Sequence, residues 1–208
     1  MKKSLKIAGI VVLTLALVVN ILVIVGNANG AKSKDVTVVT APDQKEAMEN
    51  EKFTVPVFEE PDIKGKNVAI NKRAVDNGYN DVYDASLAVD GTADGPSYWE
   101  AAVGEKEGLL TVNLKEKYEI HTIVLKLCPK AIWAKRTQHI AIRISDDGKN
   151  FKDLVEYADY EFDPNTGNMV VIDSFKASKA QYVQVAISSN TGAKSGQVAE
   201  LEVYSNDK

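Results

Sequence analysis

An internal disulfide is excluded, because Cys128 is the only cysteine in the chain. It closes the apolar run Leu125-Lys126-Leu127-Cys128 ahead of Pro129, with no neighbouring acid or histidine in sequence to activate a thiol. A small buried hydrophobe is expected there. Histidine is almost as scarce. His121 and His139 both fall inside strand patterns, where satisfied, partly buried imidazoles are expected rather than metal ligands. There is no Gly-x-Ser-x-Gly elbow, no phosphate loop and no His-Glu-x-x-His pair. No two acids stand out as the spaced pair that glycoside hydrolysis requires. Nothing here points to an enzyme. Surplus positive charge is lacking too. The formal net charge is −4, and the first thirty residues hold three lysines and no acid, which leaves −7 for the remainder. Such a body is repelled by nucleic acid, heparin-like polymers and anionic headgroups.

What is present begins with a basic flank, Met1–Lys6, followed by Ile7–Gly26, apolar except for a few small or polar residues such as Thr14 and Asn20. About twenty residues of helix span the roughly 30 Å of a bilayer core, and the basic flank stays inside. Ala28-Asn29-Gly30 also offers small residues to a signal peptidase, so residues 1–30 read as a signal peptide or an uncleaved anchor. Either way the remainder is extracytoplasmic, secreted or membrane-anchored. Residues 31–63 mix Lys, Asp, Glu and Thr around Pro42, Pro56 and Pro61 with no sustained period, which reads as a disordered linker.

From residue 64 to 208 the texture is that of strands. Leu110, Val112 and Leu114 alternate with polar neighbours, as do Ile123, Leu125 and Leu127; Ile140, Ile142 and Ile144; and Val183, Val185 and Ile187. Period two with one apolar face means half-buried antiparallel strands. Asp147-Gly148 and Pro164-Asn165-Thr166-Gly167 supply turns. About eight such strands predict an all-β sandwich or jelly roll.

Nine segments in order then resemble the discoidin-like, or coagulation-factor type C, domain, and most closely its bacterial carbohydrate-binding modules. They include Asn67-Val-Ala-Ile, Ser86-Leu-Ala-Val-Asp-Gly, Tyr98-Trp99-Glu100, Trp133-Ala-Lys-Arg-Thr-Gln, Ser145-Asp-Asp-Gly-Lys-Asn-Phe and Ala199-Glu-Leu-Glu-Val-Tyr. The resemblance implies a galactose-binding-like jelly roll covering essentially the whole domain.

Two constellations carry chemistry. Asp90-Gly91-Thr92-Ala93-Asp94-Gly95-Pro96-Ser97 gathers carboxylate, hydroxyl and carbonyl oxygens in one loop, which a solvated turn explains as well as a hard cation does. The resemblance implies a structural Ca²⁺ on Asp90, on Asp94 or Thr92, on Ser97, and on Glu200 of the last strand. The stretch from Asp90 to Trp99 is about two residues longer than the usual pattern, which leaves Thr92, Asp94 and Ser97 open. The second constellation is a candidate sugar site. Sugars present apolar C–H faces and a rim of hydroxyls, so they suit an exposed aromatic plane beside planar hydrogen-bonding groups. After Pro129 the chain offers Trp133, Lys135, Arg136 and Gln138, to which Tyr79 and Glu100 can add. Trp99 is expected in the core. The chain thus reads as a non-catalytic lectin-like module for a glycan or polysaccharide, with a protein-interaction or adhesion module of the envelope as the alternative.

Overall fold

The computed structural model describes residues 50–206; the predicted N-terminal helix and most of the predicted linker lie outside the described residues. Ten strands follow in order: β1 (Lys66–Asn67), β2 (Arg73–Asp76), β3 (Trp99–Glu100), β4 (Gly108–Lys126), β5 (Arg136–Ser145), β6 (Lys152–Phe162), β7 (Met169–Ile172), β8 (Ser178–Asn190), β9 (Gln197–Val198) and β10 (Glu200–Ser205). The helical pieces among the described residues are 3-10 turns of three to five residues. All strand pairs are antiparallel, as the alternating pattern predicts.

The long strand β4 explains how one chain makes two layers. Its register against β8 jumps between Asn113 and Tyr118, and Lys115 there has φ 72. Before the jump β4 lies between β2 and β8; beyond it, Tyr118–Ile120 still pair with β8, and Ile123–Lys126 lie between β10 and β7. One layer is therefore β2–β4–β8–β5–β6 and the other β1–β10–β4–β7. Leu110, Val112, Leu114, Ile140, Ile142, Ile144, Val183 and Val185 of the first layer meet Ile123, Leu125, Leu201 and Val203 of the second in one buried cluster. Each such side chain contributes roughly 1.5–3 kcal/mol on leaving water. Trp99 is fully buried in the same cluster, and Cys128 is buried and free, as the strand patterns predict.

The compact unit begins earlier than composition suggests. It comprises Met48–Lys208, so residues 50–63, read from sequence as linker, belong to it. The backbone N–H of Ala131 donates to the Thr54 carbonyl at 3.1 Å. The Phe58 ring lies against Gly167, where a Cβ would collide with it. These contacts lay the segment across two loops of the sandwich, and one of them carries Trp133.

Candidate functional site

The acidic loop is built from a short turn, Ala85–Val89, whose Ser86 N–H donates to the Asp84 carboxylate and whose Ala85 N–H donates to Asp76. Asp90 ends that turn. One of its carboxylate oxygens accepts from the Thr92 N–H at 2.9 Å, and the other accepts from the Ser97 hydroxyl. Gly91, with φ +87, directs its own N–H to Glu200 Oε2 at 3.1 Å. Glycine adopts that left-handed conformation without strain. Glu200 is 2% exposed, and its second oxygen, Oε1, has no hydrogen-bond partner. Burial, with the nearby charge of Asp90, pushes its carboxyl up to about 8. The one lysine paired with Glu200 in register, Lys126, is bound to Glu202 at 2.9 Å instead. A buried carboxylate oxygen with no partner is costly, and either a retained proton or a counter-charge relieves that cost.

The remaining predicted ligands separate. Asp94 turns outward to Lys130 at 2.7 Å and accepts from the Gly95 N–H at 2.6 Å, which holds its carboxyl below the usual range. Thr92 is exposed and gives its backbone N–H to Asp90. Among the described residues no three His, Cys, Asp or Glu side chains converge on one point. The predicted ligands left on this loop are Asp90 and Ser97, which share a hydrogen bond, and Glu200, tied to the loop through the Gly91 N–H. They are hard donors that suit Ca²⁺ when backbone carbonyls and water complete the shell.

The second site lies on the turn Ala131–Trp133 and the strand that follows it. A shallow cleft of about 240 Å³ is lined by Tyr98, Ile132, Trp133, Arg136 and Gln197. Tyr98 precedes buried Trp99 and so faces outward, stacked on Tyr83 with ring centres 4.2 Å apart. Its ring meets Trp133 edge to face at 4.8 Å. The Arg136 guanidinium sits over the Trp133 ring, 5.0 Å from its centre. Trp133 is thus half-buried, fixed on one side by a cation and on another by a tyrosine. Arg136 itself is only 8% exposed. It donates to Gln197 Oε1 at 2.8 Å, to the Ala134 carbonyl at 3.2 Å, and to the Trp133 carbonyl. Three of its five N–H donors are thereby committed to holding the turn.

Glu100 stands behind this wall. It accepts from Asn80 at 3.0 Å and from Gln197 Nε2 at 2.9 Å, so it orients the glutamine that anchors Arg136. Tyr79 is 51% exposed and bridges to Ala101, but it does not line the cleft. Lys135 pairs with Glu161 at 2.7 Å. Gln138 is fully buried and exchanges two hydrogen bonds with the Gln197 backbone. It acts as a strand-pairing group between β5 and β9. His139 is paired with Asp159 at 2.7 Å, and His121 bonds Thr122. The cleft residues that sequence reasoning did not select are Tyr98, Ile132 and Gln197. Of these Tyr98 was accessible, since period two puts it opposite Trp99.

An ion pair links the acidic loop to the Trp133 turn. Lys130, held by Asp94 of the acidic loop, is the residue before the turn that carries Trp133. The acidic loop and the Trp133 turn thus share an ion pair.

No curated protein matches the chain. Solved structures do. The chitosan-binding module 1 of a chitosanase/glucanase from Paenibacillus sp. IK-5 aligns at 23% identity and TM-score 0.51, covering 67% of this chain and 98% of that one. A Streptococcus pneumoniae fucose binding module aligns at 20% identity and TM-score 0.50, covering 68% and 99%. The lectin binding domain of lectinolysin, solved with Lewis b, aligns at 20% identity and TM-score 0.53, covering 70% and 100%. Residues 69–201 match the model of the F5/8 type C domain, and the chain belongs to that family.

Proposed function

We propose that this chain is a non-catalytic, extracytoplasmic carbohydrate-binding module whose glycan site is the cleft at Trp133 and whose rim is stiffened by Ca²⁺. The observation that carries the reading is the cleft itself: an aromatic pair, Tyr98 and Trp133, beside the amide of Gln197 and the guanidinium of Arg136. Aromatic faces pack against sugar C–H groups, and planar amides and guanidinium groups bond paired hydroxyls. Relatives described as chitosan-binding, fucose-binding and Lewis b-binding modules support a glycan as the ligand class. The five residues lining the cleft include no carboxylate, whereas glycoside hydrolysis uses two.

In this reading Asp90, Ser97 and Glu200 hold the ion, and Tyr79 lies outside the cleft. Calcium supplies positive charge to the buried Glu200 carboxylate, which otherwise lacks a partner for Oε1. The chain's own residues do the rest. Asp94 passes the loop's position to Lys130, Gln197 and Arg136 lock Trp133, and Glu100 orients Gln197. The apolar run at residues 7–26 supports delivery across a membrane, anchored or released.

Screening the full chain on a glycan array tests the proposal. A defined set of glycans should bind, and Trp133→Ala should weaken them by at least about tenfold, or roughly 1.4 kcal/mol. Binding that survives Trp133→Ala in a folded protein would remove the cleft from the reading. A second reading, contact with a protein of the envelope, is favoured by one observation: Phe53, Val55 and Val57 are 58%, 45% and 100% exposed beside the Trp133 turn. A partner captured irrespective of competing sugar would support it.

A further inference from the structure

The outward face of the β2–β4–β8–β5–β6 layer carries a second, smaller groove of about 180 Å³, remote in sequence from the Trp133 turn. It is lined by Arg73, Val75, Thr111, Asn113 and Tyr182. Register explains why these meet. Arg73 pairs with Asn113, Asn113 with Tyr182, and Tyr182 with Ser145, so one row crosses four strands. Two residues along, Val75, Thr111 and Gln184 form the next row. In each strand the alternate residues Ala74, Val112 and Val183 pack in the core, so both rows face away from it.

The free hydrogen-bonding groups of this groove are mostly donors. Asn113 Oδ1 already accepts from the Lys115 N–H at 2.8 Å and from Gln181 at 3.2 Å. Tyr182 Oη accepts from Asn113 at 3.2 Å, which leaves its own proton to give. Thr111 Oγ1 accepts from Gln184 at 2.9 Å and is left the same way. Arg73 is exposed, and none of its N–H groups has a hydrogen-bond or ion-pair partner among the described residues. No carboxylate lines the groove. Val75, 46% exposed, and the Tyr182 ring supply an apolar floor. Two hydroxyl protons and an unspent guanidinium fork over an apolar floor match a planar carboxylate attached to a compact body with C–H faces.

We propose that this groove is a second binding site, and that its ligand is an isolated hexuronate, a sugar ring carrying one carboxylate. The carboxylate lies on Arg73 and the ring on Val75 and Tyr182. The volume is below the roughly 300–1,000 Å³ of pockets that enclose drug-sized ligands, so it suits one ring. The net charge of −7 beyond the first thirty residues, set by a formal total of −4, opposes a polymer with a carboxylate on every sugar. The site is independent of the Trp133 cleft.

Arginine-specific modification by phenylglyoxal, read by peptide mass mapping on the full chain, tests it at residue resolution. Of the three arginines, Arg136 is buried and Arg143 is paired with Asp153 and Glu107, so Arg73 should react first. Methyl glucuronide should protect Arg73 at millimolar concentration, and methyl glucoside should not. Acetate should need at least tenfold more. Calorimetric binding of methyl glucuronide should fall at least tenfold in Arg73→Ala, whose side chain is exposed, and should be unchanged in Trp133→Ala. No protection, or equal protection by methyl glucoside, overturns the site. Protection by acetate at the same concentration as the glucuronide reduces it to a bare carboxylate contact and overturns the sugar assignment. Loss of glucuronide binding in Trp133→Ala alone assigns that ligand to the cleft and also overturns the proposal.

Discussion

Glu200 is the residue on which the calcium half of the account turns. An acid whose folded pKa is raised binds its proton more tightly in the folded than in the unfolded chain. With the folded value at about 8 against an ordinary 4.5, calcium-free protein keeps that stabilisation below about pH 4.5 and loses it progressively as pH rises toward 8. In the proposed reading calcium would take the proton's place on Glu200. Melting curves should therefore show little calcium effect at pH 5. At pH 8 they should show a rise of about 5–10 °C when the ion is present at 100 times its Kd. Glu200→Gln, which needs no counter-charge, should melt higher than the parent in calcium-free buffer at pH 8 and should ignore added calcium. A parent whose melting temperature is the same with chelator and with calcium at pH 8 would rule the ion out. At this scale the sequence was informative where a residue's role followed from its strand position. Glu200 stands beside core-facing Leu201, and Trp99 fell in the core as alternation required. Gln138 and Arg136 were less legible, because their amide and guanidinium roles depend on Gln197, about sixty residues away in sequence.

At the level of elements, the segment from Asn50 to Ile63 shows what a period-based reading misses. Its contacts include one backbone carbonyl, at Thr54, and one ring, Phe58 on Gly167, neither of which leaves a repeating pattern. Phe58→Ala should cost about 1–3 kcal/mol, or roughly 2–4 °C per kcal/mol in melting temperature, while leaving the calcium response intact. Gly167→Ala should cost at least as much. Its φ of +77 strains any side chain, and the new methyl group meets the Phe58 ring. An unchanged melting temperature in both variants would mean that the segment does not pack on the domain in solution. Strand positions, by contrast, were readable in β4, β5 and β8 from their alternating apolar residues, although Thr122–Leu125, Ile140–Ile142 and Val183–Ile187 are buried on both faces. The doubling of β4 into both layers was not, since nothing local marks the register jump after Asn113.

For the molecule as a whole, the sandwich acts as a rigid frame that presents loops. The Asp94–Lys130 ion pair links the acidic loop to the Trp133 turn, so calcium and glycan binding should be coupled. Surface ion pairs are individually weak, about 0–1 kcal/mol, so the coupling should be modest, a few-fold in affinity. Asp94→Asn should reduce it while leaving both ligands able to bind. Chelator should then weaken glycan binding less in that variant than in the parent. The jelly-roll architecture and its family were legible because nine short motifs lie in order along the chain. The identity of the glycan was not, because specificity resides in how loops from distant parts of the chain meet. The most direct test is a fluorescence titration with the glycans selected on the array. Trp99 is fully buried and Trp133 lines the cleft, so ligand should change emission from one tryptophan only. The account predicts a saturable change that disappears in Trp133→Phe. Saturable glycan binding that leaves tryptophan emission untouched, or that persists unaltered in Trp133→Ala, would contradict it.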